Sequence, residues 1–502
     1  MKSILKSILA LAMLTLFANI NWAMGQTVNV NRWIELHSES VGRTMLLKFV
    51  ADSPNTGVRL VCGAQDTTIT VGTNWTDFLF YVPNDTVKIY GNVKEFDCRN
   101  QLLSGINISN NTGLVTLDCQ YNSLSTLDLS WLTALEEVRC NNNSLTFLNL
   151  GGCTNLQELD CRENNLTSLG LSSCTALRNL NCKQNNLFSL DLSGCMALED
   201  LNCEINHLSS LDLSNYTALR SLYCWNNNLT SLDLNNCTSL EELECPVNNI
   251  SSLNLTGCTA LTYFFCDENK LTSLDLSGFT ALETLGCFYN DLTSLILTNC
   301  VSLRTLYCSY NNLSSLDLRV CTKLKTLWCY TNNISDIKIG VSKPYMIKCN
   351  DNNLSACGLD SLFHQLPINT SSGTYTIYVH GNPGTYSCRD TIATNRNWNV
   401  SGGSSPIVNT EYGCPYFTLG VEEMNNTINA KIYPNPVTNN LYIECENDIK
   451  SIEIYDALGR KIISKEDHSD KTSIDFSNLG NGVYILKLRV AEGTGEFKVI
   501  KQ

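Results

Sequence analysis

Twelve cysteines stand 21 residues apart without a slip: Cys98, Cys119, Cys140, Cys161, Cys182, Cys203, Cys224, Cys245, Cys266, Cys287, Cys308 and Cys329. Cys349 continues the series one residue early. A strict period of this length marks a repeat architecture, in which one copy cannot bury its apolar side alone and stacked copies can. Around each cysteine the unit reads L-x-x-L-x-C-x-x-N-x-L-x-x-L-x-L-x-x-C-x-x; one copy is Leu156, Leu159, Cys161, Asn164, Leu166, Leu169, Leu171 and Cys174. The Leu159-x-Cys161 alternation predicts one short strand per turn. Thirteen such strands at ~4.8 Å spacing would make a parallel sheet on the order of 60 Å long. The Leu169-x-Leu171 alternation predicts extended chain on the opposite, convex side. No copy offers the ten or more residues of helical period that a helical back would need. The predicted fold class is mainly β, a thin solenoid with capping segments.

With Cys in place of the third Leu of L-x-x-L-x-L, the unit resembles the 21-residue cysteine-ladder form of the leucine-rich repeat, the internalin J type of bacterial surface protein. From the second rung on, an asparagine column follows each rung cysteine by three residues, from Asn122 and Asn143 through Asn164 to Asn332 and Asn352. In leucine-rich repeats such side chains satisfy turn backbone groups inside the solenoid, so the column is expected to be structural.

The ladder cysteines are expected to be free buried thiols. A disulfide wants Cβ atoms about 3.8 Å apart, whereas side chains on neighbouring parallel strands keep nearer to strand spacing, and 25 cysteines cannot all pair within one chain. Zinc is disfavoured, since no C-x-x-C occurs. A second column, Cys153, Cys174, Cys195, Cys237, Cys258, Cys300 and Cys321, gives way to Tyr216 and Phe279 in two copies, as a merely apolar position would permit. Cys62, Cys357, Cys388, Cys414 and Cys445 lie outside both columns and are left unassigned.

The ends read differently from the middle. Lys2 and Lys6 before the apolar run Ile8 to Phe17, then Ala23-Met24-Gly25, predict a signal peptide over residues 1–25. Residues 26–92 alternate in short runs broken by Ser53-Pro54-Asn55 and Pro83-Asn84-Asp85, predicting a β-rich cap. The solenoid with its C-terminal cap is placed at 93–400, with a helix-periodic stretch at Leu359 to Leu366 and a worn strand at Ile377-x-Val379, and a linker at 401–428. Residues 429–502 hold 10 basic and 11 acidic residues, against 22 and 37 in 26–428. Their alternating runs predict a small β-sandwich. Tyr433-Pro434-Asn435-Pro436, Asp456-Ala457-Leu458-Gly459-Arg460, Leu479 to Tyr484 and Lys498 to Lys501 resemble, in order and spacing, the C-terminal sorting domain of type IX secretion. That resemblance implies the type IX machinery as one partner and an outer-membrane or released address. Leu366-Pro367-Ile368-Asn369-Thr370 is only a near miss to the Gram-positive L-P-x-T-G signal. No later run reaches the roughly 20 apolar residues of a membrane span.

A net charge of −14 makes the chain a poor candidate for nucleic acid or anionic membrane, since both need a basic footprint, and no nucleic-acid partner is expected. No phosphate loop, nucleophile elbow or zinc-protease motif occurs, and the five His are scattered, so neither enzyme, cofactor nor metal is expected. Positions −3, −1, +1 and +2 from each rung cysteine sample the expected concave face. In the first six rungs 13 of these 24 positions are charged, among them Glu95, Asp97, Arg99, Glu137, Arg139, Glu158, Asp160 and Arg162, and Tyr121 is the one aromatic. In the next six, ten are aromatic: Tyr223, Trp225, Tyr263, Phe265, Phe288, Tyr289, Tyr307, Tyr310, Trp328 and Tyr330. At the chain's 8% aromatic content about two would be expected. An exposed aromatic cluster has the composition of an interface core. The expectation is a cell-surface protein that binds a protein on a host or neighbouring cell through these residues. The alternatives are a glycan-binding module, or a passive spacer whose aromatics merely suit an exposed sheet.

Overall fold

The computed structural model describes residues 27–370, 373–402, 430–456, 460–480, 482–491 and 493–501. The expected signal peptide, Cys414 and nearly all of the linker lie outside these residues. The chain divides into two compact units, residues 1–414 and 415–502, each described by itself.

The first unit opens with eight strands: β1 (Trp33–Ser38), β2 (Arg43–Ala51), β3 (Thr56–Cys62), β4 (Gln65–Val71), β5 (Thr76–Val82), β6 (Thr86–Tyr90), β7 (Val93–Asp97) and β8 (Leu103–Asn107). One sheet runs β4-β3-β6-β1-β8. In the other, β2 pairs antiparallel with β5 and β7, and β7 then pairs in parallel with the next rung, Glu95 opposite Thr116 and Phe96 opposite Leu117. The cap therefore closes the solenoid by extending its sheet. Phe49 stacks on Phe96 at 5.3 Å, carrying one continuous core from cap to first rung.

Each rung contributes a three-residue strand, such as Glu158–Asp160 or Tyr263–Phe265, paired in register with its neighbours. The centre residue and the cysteine are buried; its flanking residues face out. The short copy keeps this register: Met346–Lys348 pairs directly with Thr326–Trp328, so the missing residue is absorbed in the turn before the strand. On the convex side strands occur two by two, as in Ser231–Asp233 with Ser252–Asn254, and not in every copy as the alternation predicts. The copy at Leu169 carries Gly170 there, a residue that weakens strands.

The asparagine column is a ladder of amides. Asn164 donates from Nδ2 to the carbonyls of Cys140 (3.1 Å) and Cys161 (3.0 Å), while its Oδ1 accepts the Leu145 amide at 2.9 Å. One side chain thus joins two turns and satisfies three buried backbone groups. The residue before it takes positive φ in every copy, from Tyr121 (57°) to Asp351 (53°), turning the chain so that the amide points inward.

The ladder cysteines from Cys98 to Cys349 are free and buried. Burial raises their pKa, that of Cys182 to about 12, and keeps them as unreactive thiols. The second column is more than apolar. Cys153, Cys195, Cys237, Cys258 and Cys300 direct Sγ at a leucine carbonyl of an earlier turn, 3.2–3.7 Å away. Tyr216, which replaces Cys in one copy, donates its hydroxyl to the matching Leu192 carbonyl at 2.5 Å. Of the cysteines outside both columns, Cys62 and Cys388 are free thiols, while the exposed Cys357 is disulfide-bonded.

At the far end the helix Ala356–Gln365 packs Leu359, Leu362 and Phe363 onto the last turns, its N-terminus capped by Ser355 Oγ accepting from Gly358. Strands Tyr375–Tyr378 and Trp398–Ser401 continue the ladder, and Asn382 continues the amide column by accepting from Leu354. Among the described residues no helix is long and apolar enough to cross a membrane.

The second unit has two sheets, one of Ala430–Tyr433, Asn440–Cys445 and Lys471–Asp475, the other of Lys461–Glu466, Ile449–Asp456, Gly482–Val490 and Thr494–Lys501. Leu441, Ile443, Ile452, Ile454, Phe476, Leu486 and Leu488 form its own core.

Candidate interaction surface

The left-handed turn decides where the ten aromatics lie. Positions −3, −1 and +1 project from the strand face, but +2 is the residue of positive φ, so its side chain sits on the rim of the sheet. The four sampled positions are therefore not one face, and the aromatics fall into three groups.

The first group lies on the strands. Tyr263 and Phe265 meet at 4.8 Å, Phe265 reaches Tyr307 two rungs away at 6.4 Å, and Tyr307 meets Trp328 at 4.7 Å. Phe265 can bridge the intervening rung because its −1 residue is Gly286. A Cβ there would come within 2.4 Å of the Phe265 ring. The stripe then continues past the predicted set. Lys348 lies over Trp328, Nζ 3.9 Å from the ring centroid, and 5.7 Å from the Tyr378 ring. Sequence reasoning stopped at Cys329 and missed Gly286, Lys348 and Tyr378. Extending the −1 column through the early rung at Cys349 and the worn strand Ile377-x-Val379 would have found both Lys348 and Tyr378.

The second group straddles the rim. At +2, Tyr289 and Tyr310 stack at 4.1 Å with planes 9° apart, and from the +1 positions on the strand face Phe288 and Tyr330 meet them edge-on at 5.9 and 5.3 Å. The third is the pair Tyr223 and Trp225, separated from the others by the rung of Glu242, Glu244 and Pro246. The Tyr223 hydroxyl donates to Glu242. Trp225 carries the Lys183 amine 5.5 Å from its ring centroid, and that amine is paired with Glu204 at 2.6 Å.

Charge changes along the same face. In the early rungs several carboxylates have cationic partners: Arg99 bridges Asp97 and Asp118, Arg139 pairs with Glu137, and Arg162 with Asp160. In the later rungs Asp267 is 7% exposed, and burial with the nearby charges of Glu268 and Glu244 raises its pKa to about 6. Burial likewise raises Glu244 above the ordinary carboxyl range. A groove of about 750 Å³ opens elsewhere, on the amide-lined rim of the early rungs by Asn142, Gln184 and His207. A smaller concavity of about 310 Å³ lies over the strands of the early rungs and reaches Tyr223.

With this geometry in place the class of protein follows. Residues 301–339 match a leucine-rich repeat family spanning two copies, and residues 431–502 match the family described as secretion system C-terminal sorting domain. No curated protein sequence matches the chain. Similar solved structures include the functional domain of InlJ from Listeria monocytogenes, described as including a cysteine ladder: 24% identity over 84% of this chain and 94% of that one, with TM-score 0.49. YopM from Yersinia enterocolitica WA-314 is 24% identical over 59% of this chain and 62% of its own, with TM-score 0.48. The leucine-rich effector YopM of Yersinia pestis is 24% identical over 61% of this chain and 88% of its own, with TM-score 0.44.

The first unit is a solenoid of leucine-rich repeats with a cysteine ladder, and residues 431–502 are a secretion system C-terminal sorting domain. That domain directs the protein's secretion and attachment at the cell surface.

Proposed function

We propose that the protein is a surface adhesin whose later concave rungs bind a protein on a host cell or a neighbouring bacterium. The observation that carries this reading is the unbroken run of ring contacts from Tyr263 to Trp328, ending under Lys348. Half-buried rings on a rigid ladder lose little entropy on binding and supply the anchors on which interfaces depend. In the same reading, residues 1–25 export the chain, 26–92 cap it, 93–400 form the binding solenoid, 401–428 link it, and 429–502 engage the type IX machinery. The binding residues are the strand stripe first, with Tyr289, Tyr310, Phe288 and Tyr330 as a flanking patch and Tyr223 and Trp225 as its early edge.

The test is adhesion of purified protein to host cells and to its own bacteria, with Tyr307→Ala and Trp328→Ala combined. Loss of at least about 2 kcal/mol of binding is expected if these are hot spots, at an unchanged thermal midpoint. Undiminished adhesion by the folded variant would reject the assignment. Binding to a glycan array, abolished by the same variant, would replace the protein ligand by a sugar.

A further inference from the structure

Cations and carboxyls on the later concave face are out of balance. Two amines near it already sit on indoles: Lys183 on Trp225 and Lys348 on Trp328. Between them Glu244 and Asp267 occupy adjacent rungs, and among the described residues neither forms an ion pair within 4.0 Å. Lys183, the base whose charge reaches Glu244, is engaged by Glu204. Asp267 is more than nine-tenths buried, and its Oδ1 is closed off from water with no hydrogen-bond partner. An uncompensated carboxylate in such a place is costly, and an arriving donor cation would offset that cost. Phe265 stands two residues before Asp267 on its own strand, and Phe288 holds the same offset as Asp267 on the next rung. Ring faces attract cations, and the chain's own lysines use the indoles of this surface in that way.

We infer that Glu244 and Asp267, flanked by Phe265 and Phe288, form a subsite for one arginine side chain of the protein partner. Arginine fits better than lysine, because a planar guanidinium stacks on rings while its forked donors can serve two carboxylates at once; Glu244 pairs with Phe265, so Asp267 is its diagonal neighbour, roughly 7–8 Å away along the sheet. The subsite rests on the adhesin reading above and gives its partner a chemistry: a basic residue seated among apolar contacts.

The experiment measures binding of a blocked tetra-arginine peptide to the full chain by calorimetry at physiological salt. Asp267→Asn combined with Glu244→Gln should lower affinity about tenfold or more, as loss of charge-assisted hydrogen bonds does. Glu158→Gln combined with Asp160→Asn removes the same charge from the early rungs and should change affinity by less than about twofold, the size of a screened long-range effect. Tetra-lysine should bind more weakly than tetra-arginine. These isosteric changes keep side-chain shape, and thermal unfolding confirms the fold of each variant. No peptide binding to the unaltered protein, or equal loss in both pairs of substitutions, would overturn the subsite. Adhesion lost with Tyr307 and Trp328, while the peptide binds the Asp267 variant undiminished, would sink the subsite and leave the adhesin standing. Peptide binding lost at Asp267, with adhesion untouched by ring removal, would uphold the subsite and sink the adhesin.

Discussion

At the scale of single residues the solenoid depends on side chains that serve the backbone. Asn164 joins two turns through three backbone partners in the core. Asn164→Ala strands the Leu145 amide and weakens two carbonyls, and should cost on the order of 2–4 kcal/mol, since each buried orphan costs roughly 1–3. Denaturant unfolding would show this as a lower midpoint; a loss under ~0.5 kcal/mol would mean that water or the backbone replaces the amide. Asp267 makes the opposite contribution. Its carboxyl titrates near 6 when folded and near 3.8 otherwise, so between those values the folded state holds more protons than the unfolded one. Stability therefore falls as pH rises through that window, by about 3 kcal/mol, and the loss is complete above it. Asp267→Asn removes the dependence, so its thermal midpoint should overtake that of the parent progressively from pH 4 to pH 7. A constant difference across that range would show that the carboxyl is not held neutral by burial.

At the scale of the element, the rung strands were legible in the amino-acid sequence because alternation with a buried cysteine allows only one register. The amide column was legible for the same reason, since polar residues at a fixed buried offset must have fixed partners. The second cysteine column was misread as merely apolar. Its role as a weak donor became visible only in Tyr216, whose hydroxyl takes over the thiol's carbonyl. The candidate surface was legible as a set of residues but not as a shape. Nothing in a list of offsets says that +2 adopts positive φ, and that angle sends Tyr289 and Tyr310 to the rim. Nor could a missing side chain announce itself. Gly286 counts as nothing in a search for aromatics, yet its empty position lets Phe265 lean across to Tyr307. Gly286→Ala should therefore reduce adhesion by ~1 kcal/mol, the value of a ring–ring contact, because the new methyl would run into the Phe265 ring and push it away from Tyr307. Unaltered adhesion would mean that the partner does not read the Phe265–Tyr307 contact.

At the scale of the whole molecule, two hydrophobic cores share no residue. One runs without interruption from Ile34 in the cap to Trp398 in the closing strand. The other spans Val437 to Val499 and is built from the strands of the sorting domain alone. Removing residues 429–502 takes no side chain from the first core, so the remaining solenoid should unfold at an unchanged midpoint in a single transition. What it should lose is its destination, because the sorting motifs all lie in the deleted part. Cells expressing the truncated chain should hold it in the periplasm, and fractionation with surface protease digestion would read this directly. Truncated protein at parental levels on the cell surface would show that the address is written elsewhere. A lowered thermal midpoint would show instead that the solenoid depends on the second unit in a way that its core does not reveal.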